Sequence, residues 1–305
     1  MIYKSIDELI GHTPLVELSN LEKELSLKSK LIAKIELFNP AGSSKDRVAK
    51  EIIDSAENKG LIKVGDTIIE ATSGNTGIAL AMIGASRGYK VVIVMPDSMS
   101  KERISIMKAY GAEVILTPAR DGMNGAVSKA QEIKENTAGA FIASQFENMS
   151  NPEAHFLTTG PEIYESTEGR VDIFVACIGT GGTVSGTGKY LKSKNPSIKV
   201  YGVEPEYSPL ISKGVAGKHK IQGIGANFIP ATYDKEICDE IITVKDEDAY
   251  DFARLISKKE GICVGISSGA AICAAVELAK KEENKNIVVL LPDTGTRYLS
   301  EGLFD

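Results

Sequence analysis

The sequence lacks the residues and segments that several classes of protein require. Its 305 residues include no Trp, three His and four Cys, and only 6% of them are aromatic. The net charge of -6 gives no general cationic surface for nucleic acid or for anionic membranes. No apolar run approaches the roughly 18 residues of a membrane span, and the N-terminus has no signal-peptide segment. We therefore expect a cytoplasmic protein that binds neither nucleic acid nor a membrane.

The cysteines and histidines are scattered along the chain without the spacing of metal ligands. They are Cys177, Cys238, Cys263, Cys273, His12, His155 and His219. We expect the cysteines to be small, buried apolar residues of a reducing compartment. The histidines are expected to be structural or exposed, and no metal site is predicted.

Short apolar runs alternate with amphipathic segments along the whole chain. The pattern predicts strands at 31–37, 67–70, 90–95, 113–116, 141–143, 172–177, 199–203 and 287–291, with an edge strand after 11–16. It predicts one helix that starts near residue 48 and another that ends at residue 194. Six further helices are predicted at 78–87, 101–110, 123–136, 156–167, 247–260 and 269–281. This βα alternation is typical of an α/β fold with two mainly parallel, twisted sheets flanked by helices.

The chain is longer than one hydrophobic core usually serves, so we expect two lobes. The polar stretch Asn148–Pro152 is the best boundary. It divides the chain into an N-terminal lobe, 1–148, and a C-terminal lobe, 149–305.

The stretch Asn39–Arg47 joins a predicted strand to the helix that follows it. An Asn-Pro pair and a glycine end the strand, and Ser43 or Ser44 can cap the helix, which places Lys45 in its first turn. The positive end of a helix disfavours a cation by about 0.3–1 kcal/mol. A lysine held there is easier to deprotonate and is a better imine-forming amine. By itself, the pattern also fits a surface lysine after a loop.

Several polar turns follow predicted strands, where open α/β sheets bind ligands. Gly179–Thr183 lets backbone N–H groups approach a phosphate at a helix N-terminus, although a tight βα turn has the same pattern. Thr72–Gly77 has more hydroxyl groups and suits a carboxylate and a hydroxyl-bearing ring, or else a capped helix start. Pro292–Gly295 follows the last predicted strand. Ser267 lies between a strand-like run, 262–264, and the predicted helix 269–281; taken alone, it is most simply a helix N-cap.

A lysine, a phosphate turn and a carboxylate turn, without a metal or nucleotide motif, together indicate an aldehyde-phosphate cofactor. Pyridoxal 5'-phosphate fits, because lysine forms the imine and the protein tunes the ring.

With these motifs, the sequence resembles the cysteine synthase (O-acetylserine sulfhydrylase) family of fold-type-II pyridoxal-phosphate enzymes. The resemblance extends over nearly the whole chain, from Ile10 to Ser300. Its motifs are Asn39–Arg47, Thr72–Gly77, Gln145-Phe146, Thr158–Ile163, Gly179–Thr183, Ile221–Pro230, Gly265–Gly269 and Pro292–Gly295.

The resemblance assigns a role to each matching residue. Lys45 is implied to be the Schiff-base lysine and the base that removes the substrate α-proton. Asn75 is implied to bind the ring hydroxyl and Ser267 to face the pyridine nitrogen. The implied phosphate ligands are Gly179, Thr180, Gly181, Gly182 and Thr183. The implied ligands of the substrate carboxylate are Thr72, Ser73, Gly74, Thr76 and Gln145.

The implied reaction is a β-replacement in cysteine biosynthesis. O-acetyl-L-serine loses acetate to give an aminoacrylate, and sulfide adds to give L-cysteine. The family also implies a homodimer, a possible complex with the C-terminal tail of serine acetyltransferase, and an N-terminal segment of about 35 residues that crosses to the other lobe. A substrate bound by both lobes would move residues 45–145 to close over it.

The chain departs from the family pattern at three positions. Asn227 stands where Gly is frequent, Thr296 where an acidic residue is common, and Ser44 where an apolar residue is common. None of these changes removes a catalytic group.

Related activities stay open: a different sulfur donor, O-phosphoserine as substrate, cystathionine β-synthase-like chemistry, or serine/threonine dehydration. A protein that only binds a partner is a further alternative, which the presence of Lys45 disfavours.

Overall fold

The computed structural model describes residues 2–305, which form two compact units. Unit 1 contains the residues up to Ile10 together with Asn39–Asn151, and unit 2 contains Gly11–Phe38 and Pro152–Asp305. The predicted lobe boundary at residue 148, the crossing segment and the motion of residues 45–145 stay predictions.

Ten strands are assigned in the described chain. They are β1 Leu15–Glu17, β2 Lys30–Ile35, β3 Thr67–Ala71, β4 Lys90–Pro96, β5 Glu113–Thr117, β6 Ala140–Ile142, β7 Ile173–Cys177, β8 Lys199–Pro205, β9 Glu240–Val244 and β10 Asn286–Leu291.

Eleven α-helices accompany these strands in residues 2–305. They are α1 Ser19–Glu24, α2 Lys45–Asn58, α3 Asn75–Arg87, α4 Lys101–Ala109, α5 Gly122–Glu135, α6 Ser150–Ala154, α7 Gly160–Ser166, α8 Gly182–Lys194, α9 Leu210–Lys213, α10 Asp246–Glu260 and α11 Ile266–Lys281. A π-helical turn, His155–Thr159, connects α6 to α7. Short 3₁₀ turns lie at Ile6–Leu9, Glu36–Phe38, Ala119–Asp121 and Gly295–Glu301.

Unit 1 is built on a four-stranded, fully parallel sheet with the strand order β5-β4-β3-β6. The central strands β3 and β4 are almost entirely buried, as expected for strands covered on both faces. One face packs against the apolar sides of α2 and α3, and the other packs against α5. The carboxyl ends of β3 and β6 lead into the predicted Thr72–Gly77 and Gln145 segments.

Unit 2 contains a six-stranded sheet with the order β1-β2-β10-β7-β8-β9. Only the edge strand β1 is antiparallel, as the pairing of Leu15–Glu17 with β2 shows. Helix α11 lies in the larger apolar cluster of this unit and has almost no polar face, because its sequence is rich in Ala and Ile. The prediction of two mainly parallel sheets flanked by helices is confirmed.

Several local predictions were wrong. Strand β9 was missed, and the helix predicted at 156–167 is instead α6, a π turn and α7. The strand-like run 262–264 forms only an isolated bridge between Val264 and Thr294. Helix α11 begins at Ile266 rather than Gly269, so its N-cap is Gly265 and not Ser267. The expectation of buried cysteines is correct for Cys273, whereas Cys177 and Cys238 are partly exposed and Cys263 is exposed.

A search for bilayer-spanning helices in residues 2–305 identifies none that combines the required length and apolar character.

Candidate active site

Lys45 is the first residue of α2 and is half-buried. The turn before it is fixed by the buried carboxylate of Asp46, which accepts a hydrogen bond from the Ala41 N–H at 2.6 Å. The Lys45 N–H donates to Ser43 Oγ at 3.3 Å, whereas the Ser44 side chain makes no capping bond. The structure therefore places Lys45 in the first helical turn, as predicted, where the helix dipole disfavours its positive charge.

A buried hydrogen-bonded cluster in unit 1 joins three residues that the sequence assigned to substrate binding. Thr76 Oγ1 donates to Gln145 Oε1 at 2.6 Å, and Gln145 Nε2 donates to Thr72 Oγ1 at 3.2 Å. Thr72 Oγ1 also accepts from the Gly74 N–H at 3.2 Å. The cluster lies at the start of α3, where helix N–H groups favour an anion.

The remaining predicted residues of this segment, Ser73 and Asn75, are partly exposed beside the cluster. Asn75 is the first residue of α3, and Gly74 is its N-cap. A turn of this kind, with hydroxyl, amide and backbone N–H donors together, has the donors that a carboxylate requires.

Glu70 lies directly behind Gln145 and was missed by sequence analysis. Its carboxylate accepts hydrogen bonds from the backbone N–H groups of Ser144, at 2.8 Å, and Gln145, at 3.2 Å. Burial raises the pKa of Glu70 to about 7, against the lowering effect of these hydrogen bonds. In the sequence, Glu70 looks like an ordinary polar residue at the end of a strand.

The glycine-rich turn of unit 2 connects β7 to α8. A side chain at Gly179 would place its Cβ 2.2 Å from the carbonyl oxygen of Gly223. Gly181 has a φ of +81°, and a Cβ there would lie 2.5 Å from Tyr233 Cβ. Thr232 Oγ1 holds the turn from outside by donating to the Thr180 carbonyl at 2.6 Å.

These features fit a phosphate group. Two positions of the turn admit only glycine, so the backbone itself forms the wall of the cradle. Helix α8 begins at Gly182 and directs its N-terminal N–H groups and its positive dipole end to the turn. Thr180 and Thr183 are buried and add hydroxyl groups.

His155 is a second residue whose surroundings the sequence did not reveal. It is fully buried in the π turn, with Nε2 3.1 Å from Thr183 Oγ1 and Nδ1 2.9 Å from Thr159 Oγ1. Its position beside Thr183 depends on the packing of the π turn against α8, which no local pattern predicts. The expectation of a structural histidine agrees with its burial.

Ser267 lies in the first turn of α11 and is 4% exposed. A Cβ built on Gly223 would be 4.0 Å from Ser267 Oγ, so Ser267 and the Gly179 turn both border the same glycine. Cys177 donates its thiol hydrogen to the Ser267 carbonyl at 3.1 Å, and burial raises the pKa of that thiol. The serine offers a neutral hydroxyl group, which suits an unprotonated pyridine nitrogen.

The described residues form an α/β protein with a lysine in the first turn of α2, a buried hydroxyl–amide cluster at the start of α3 and a glycine-rich turn before α8. The sequence profile described as "Pyridoxal-phosphate dependent enzyme" matches residues 6–293. The chain belongs to this family, and pyridoxal phosphate is its cofactor.

Individual proteins and structures are similar to this chain over nearly its whole length. The chain is 50% identical over 302 residues to a "Cysteine synthase" of Staphylococcus aureus (strain N315), covering 98% of this chain and 96% of that protein. Its fold is similar to the crystal structure of cysteine synthase (OASS) from Entamoeba histolytica, with a TM-score of 0.96, 48% identity, and coverage of 100% and 91%. A hydrogen sulfide-producing enzyme from Fusobacterium nucleatum gives a TM-score of 0.95 at 48% identity, with coverage of 98% and 99%.

Proposed function

We propose that the chain is a cysteine synthase, which converts O-acetyl-L-serine and sulfide to L-cysteine and acetate. The observation that carries the proposal is the 50% identity to a cysteine synthase over 98% of the chain. Lys45 in the first turn of α2 and the cluster of Thr72, Thr76 and Gln145 supply the base and the carboxylate donors that this reaction needs.

The residues of unit 1 bind and activate the substrate. Thr72, Ser73, Gly74, Thr76 and Gln145 hold the α-carboxylate, and this orients the α-carbon of the amino acid. The Lys45 amine removes the α-proton, so that acetate leaves from the β-carbon. After sulfide has added to the β-carbon, the Lys45 ammonium group returns a proton to the α-carbon.

The cofactor contacts follow the residues described above. When bound, pyridoxal phosphate supplies the electron sink for the α-carbon. In the resting protein Lys45 would hold it covalently, Asn75 would bind its ring hydroxyl, and its phosphate would be bound by Gly179, Thr180, Gly181, Gly182 and Thr183. Ser267 would donate to the pyridine nitrogen without fixing a proton there.

The leaving group favours an activated serine ester. The residues assigned to the site include no dedicated acid that would protonate a poor leaving group such as hydroxide, and acetate leaves without one. Sulfide is small and partly ionised near neutral pH, so it needs little binding machinery.

The proposed reaction has two steps, and each step can be observed separately. The purified protein is expected to be yellow, and O-acetylserine alone should change its visible spectrum and release acetate without cysteine. Sulfide should then restore the spectrum with formation of cysteine, in ping-pong kinetics. Faster turnover of serine with homocysteine, of threonine alone, or of O-phosphoserine or thiosulfate would contradict the assignment and indicate the corresponding related activity.

Ser267→Asp tests the partner of the pyridine nitrogen. An aspartate would hold a proton on the ring nitrogen, so we expect a shifted visible spectrum and turnover that is lower by about 10²-fold, with the cofactor still bound. Ser267→Ala is the matched control, because it removes the hydroxyl group without adding a charge. A spectrum and turnover of Ser267→Asp equal to those of the unmodified protein would remove Ser267 from the site.

The family resemblance also supports a homodimer and a cytoplasmic location. The cluster of Thr72, Thr76 and Gln145, which is proposed to bind the substrate carboxylate, can also bind the C-terminal carboxylate of a peptide, as in docking of the serine acetyltransferase tail. A peptide with that tail should compete with O-acetylserine, whereas its C-terminal amide should not.

A further inference from the structure

Glu70 is a buried carboxylate for which the proposed reaction has no use. It alternates with Ile69 along β3 and lies on the same face as Ile68, whose cluster includes apolar residues of α2 and α3. Only 3% of its surface is exposed. Placing an ionisable side chain in such surroundings is unfavourable unless it is hydrogen-bonded, so its contacts explain its presence.

The contacts of Glu70 are made to the turn after β6. One carboxylate oxygen accepts from the Ser144 N–H and the other from the Gln145 N–H. Ser144 has a φ of +54°, a conformation that is uncommon for a residue other than glycine. Such backbone strain persists only where the surrounding structure fixes it. Here the Glu70 carboxylate binds the N–H groups of the two peptide bonds that flank the Ser144 Cα.

Gln145 is fixed by further bonds beyond those to Glu70. Asn151 Nδ2 donates to its carbonyl oxygen at 2.7 Å, while Thr72 and Thr76 bind its side-chain amide. Nε2 donates to Thr72 Oγ1, and the same side-chain amide also bonds to the Glu70 carboxylate, so Thr72 and Glu70 together set the orientation of this amide.

We propose that Glu70 is a positioning residue, whose carboxylate holds the Ser144–Gln145 backbone so that the Gln145 amide meets the substrate carboxylate. The inference rests on the proposed function, since it assigns Gln145 to the α-carboxylate of O-acetylserine. Glu70 itself does not touch substrate. It acts through the peptide groups of the turn and through the Gln145 side-chain amide, and thereby sets the affinity for amino-acid substrates.

The ionisation state of Glu70 changes the strength of its hydrogen bonds to the Ser144–Gln145 turn. Burial raises its pKa to about 7, and hydrogen bonds from Ser144 and Gln145 oppose the shift. The surrounding elements also carry charged residues, which are Lys45, Asp46, Arg47, Lys50, Glu51, Asp54 and Glu57 on α2, Arg87 on α3, Lys90 on β4, and Glu147 in the turn. Ionised Glu70 accepts both N–H bonds strongly, and protonation weakens them.

Glu70→Gln tests the role, because it keeps the size of the side chain and removes the charge. We expect the KM for O-acetylserine to rise about 10-fold, while the KM for sulfide and the visible spectrum of the resting protein stay unchanged. In the unmodified protein, protonation of Glu70 should raise the KM for O-acetylserine as the pH falls through about 7. The variant should lack this contribution to the pH dependence of KM. Glu113→Gln, an exposed change in the same sheet, is the matched control.

Two further measurements separate positioning from general damage. In a Gln145→Ala background, Glu70→Gln should raise the KM by less than twofold, because the residue that it positions is already absent. An equal rise in both backgrounds would overturn the inference.

The second measurement does not depend on turnover. The amide resonances of Ser144 and Gln145 in the intact protein should titrate together with an apparent pKa of about 7. Their failure to titrate would overturn the role of Glu70 even if the variant does not fold. If these resonances titrate but O-acetylserine is not turned over, the proposed function is wrong. The conclusion that Glu70 positions the Ser144–Gln145 turn would then still be supported.

Discussion

Lys45→Ala is expected to lower turnover of O-acetylserine and sulfide by about 10³-fold or more, because it removes both the covalent attachment of the cofactor and the base. The variant should fold, since Asp46 still bonds to Ala41 and Ser43 in the preceding turn. Its pyridoxal phosphate should be removable by dialysis, whereas that of the unmodified protein should stay attached.

The control for this variant lies one and a half turns further along α2. Lys50 is half-buried and pairs with Asp54, so Lys50→Ala changes a lysine on the same helix without touching the first turn. We expect its turnover to stay within about twofold, as for a surface pair. Borohydride reduction of the unmodified protein should then attach the cofactor to the peptide that contains Lys45. Attachment to any other lysine would refute the assignment.

The elements around Lys45 and Thr72–Gly77 were predictable because their signals are local. A Pro, a Gly and two serines before an amphipathic segment place a helix start at Lys45, and the structure begins α2 there. Likewise, the predicted end of the helix at residue 87 agrees with the structure, because α3 ends where Gly88 adopts a left-handed conformation. The βα alternation determined the class of fold because each strand and helix has its own period.

The contacts between distant residues were not predictable from these local signals. Alternation along the predicted strand 31–37 puts Lys34 and Glu36 together on one face, and their charges predict that this face is polar, whereas both side chains are fully buried. Their partners lie elsewhere in unit 2: Glu162 is in α7, and Thr13 precedes β1. Glu70 is a similar case, because its role depends on a turn that is more than seventy positions away. A charged residue in a strand therefore needs its tertiary partner before its burial can be inferred.

Lys34→Met is expected to lower the free energy of unfolding by about 3–5 kcal/mol, because it leaves the carboxylate of Glu162 without its buried cation. Lys34 Nζ donates at 2.6 Å both to Glu162 Oε2 and to the Thr13 carbonyl, and its side chain has no exposed surface. Glu162 is 13% exposed, so water can replace little of the lost interaction. Denaturant unfolding measures the change, and the melting temperature should fall by about 2–4 °C for each kcal/mol.

The double variant Lys34→Met with Glu162→Leu distinguishes two quantities: the net contribution of the ion pair to the free energy of unfolding, and the destabilisation caused by removing only one partner. Replacing both charges with apolar residues removes the uncompensated carboxylate, so it should recover part of the stability that the single variant loses. Recovery will be incomplete, because Glu162 also accepts the His12 N–H at 2.9 Å and that donor loses its partner. Lys28→Met is the control, since Lys28 and Glu283 form an exposed pair that contributes at most about 1 kcal/mol. A loss for Lys34→Met no larger than that of Lys28→Met would show that the buried pair is not what fixes the 11–38 segment to α7.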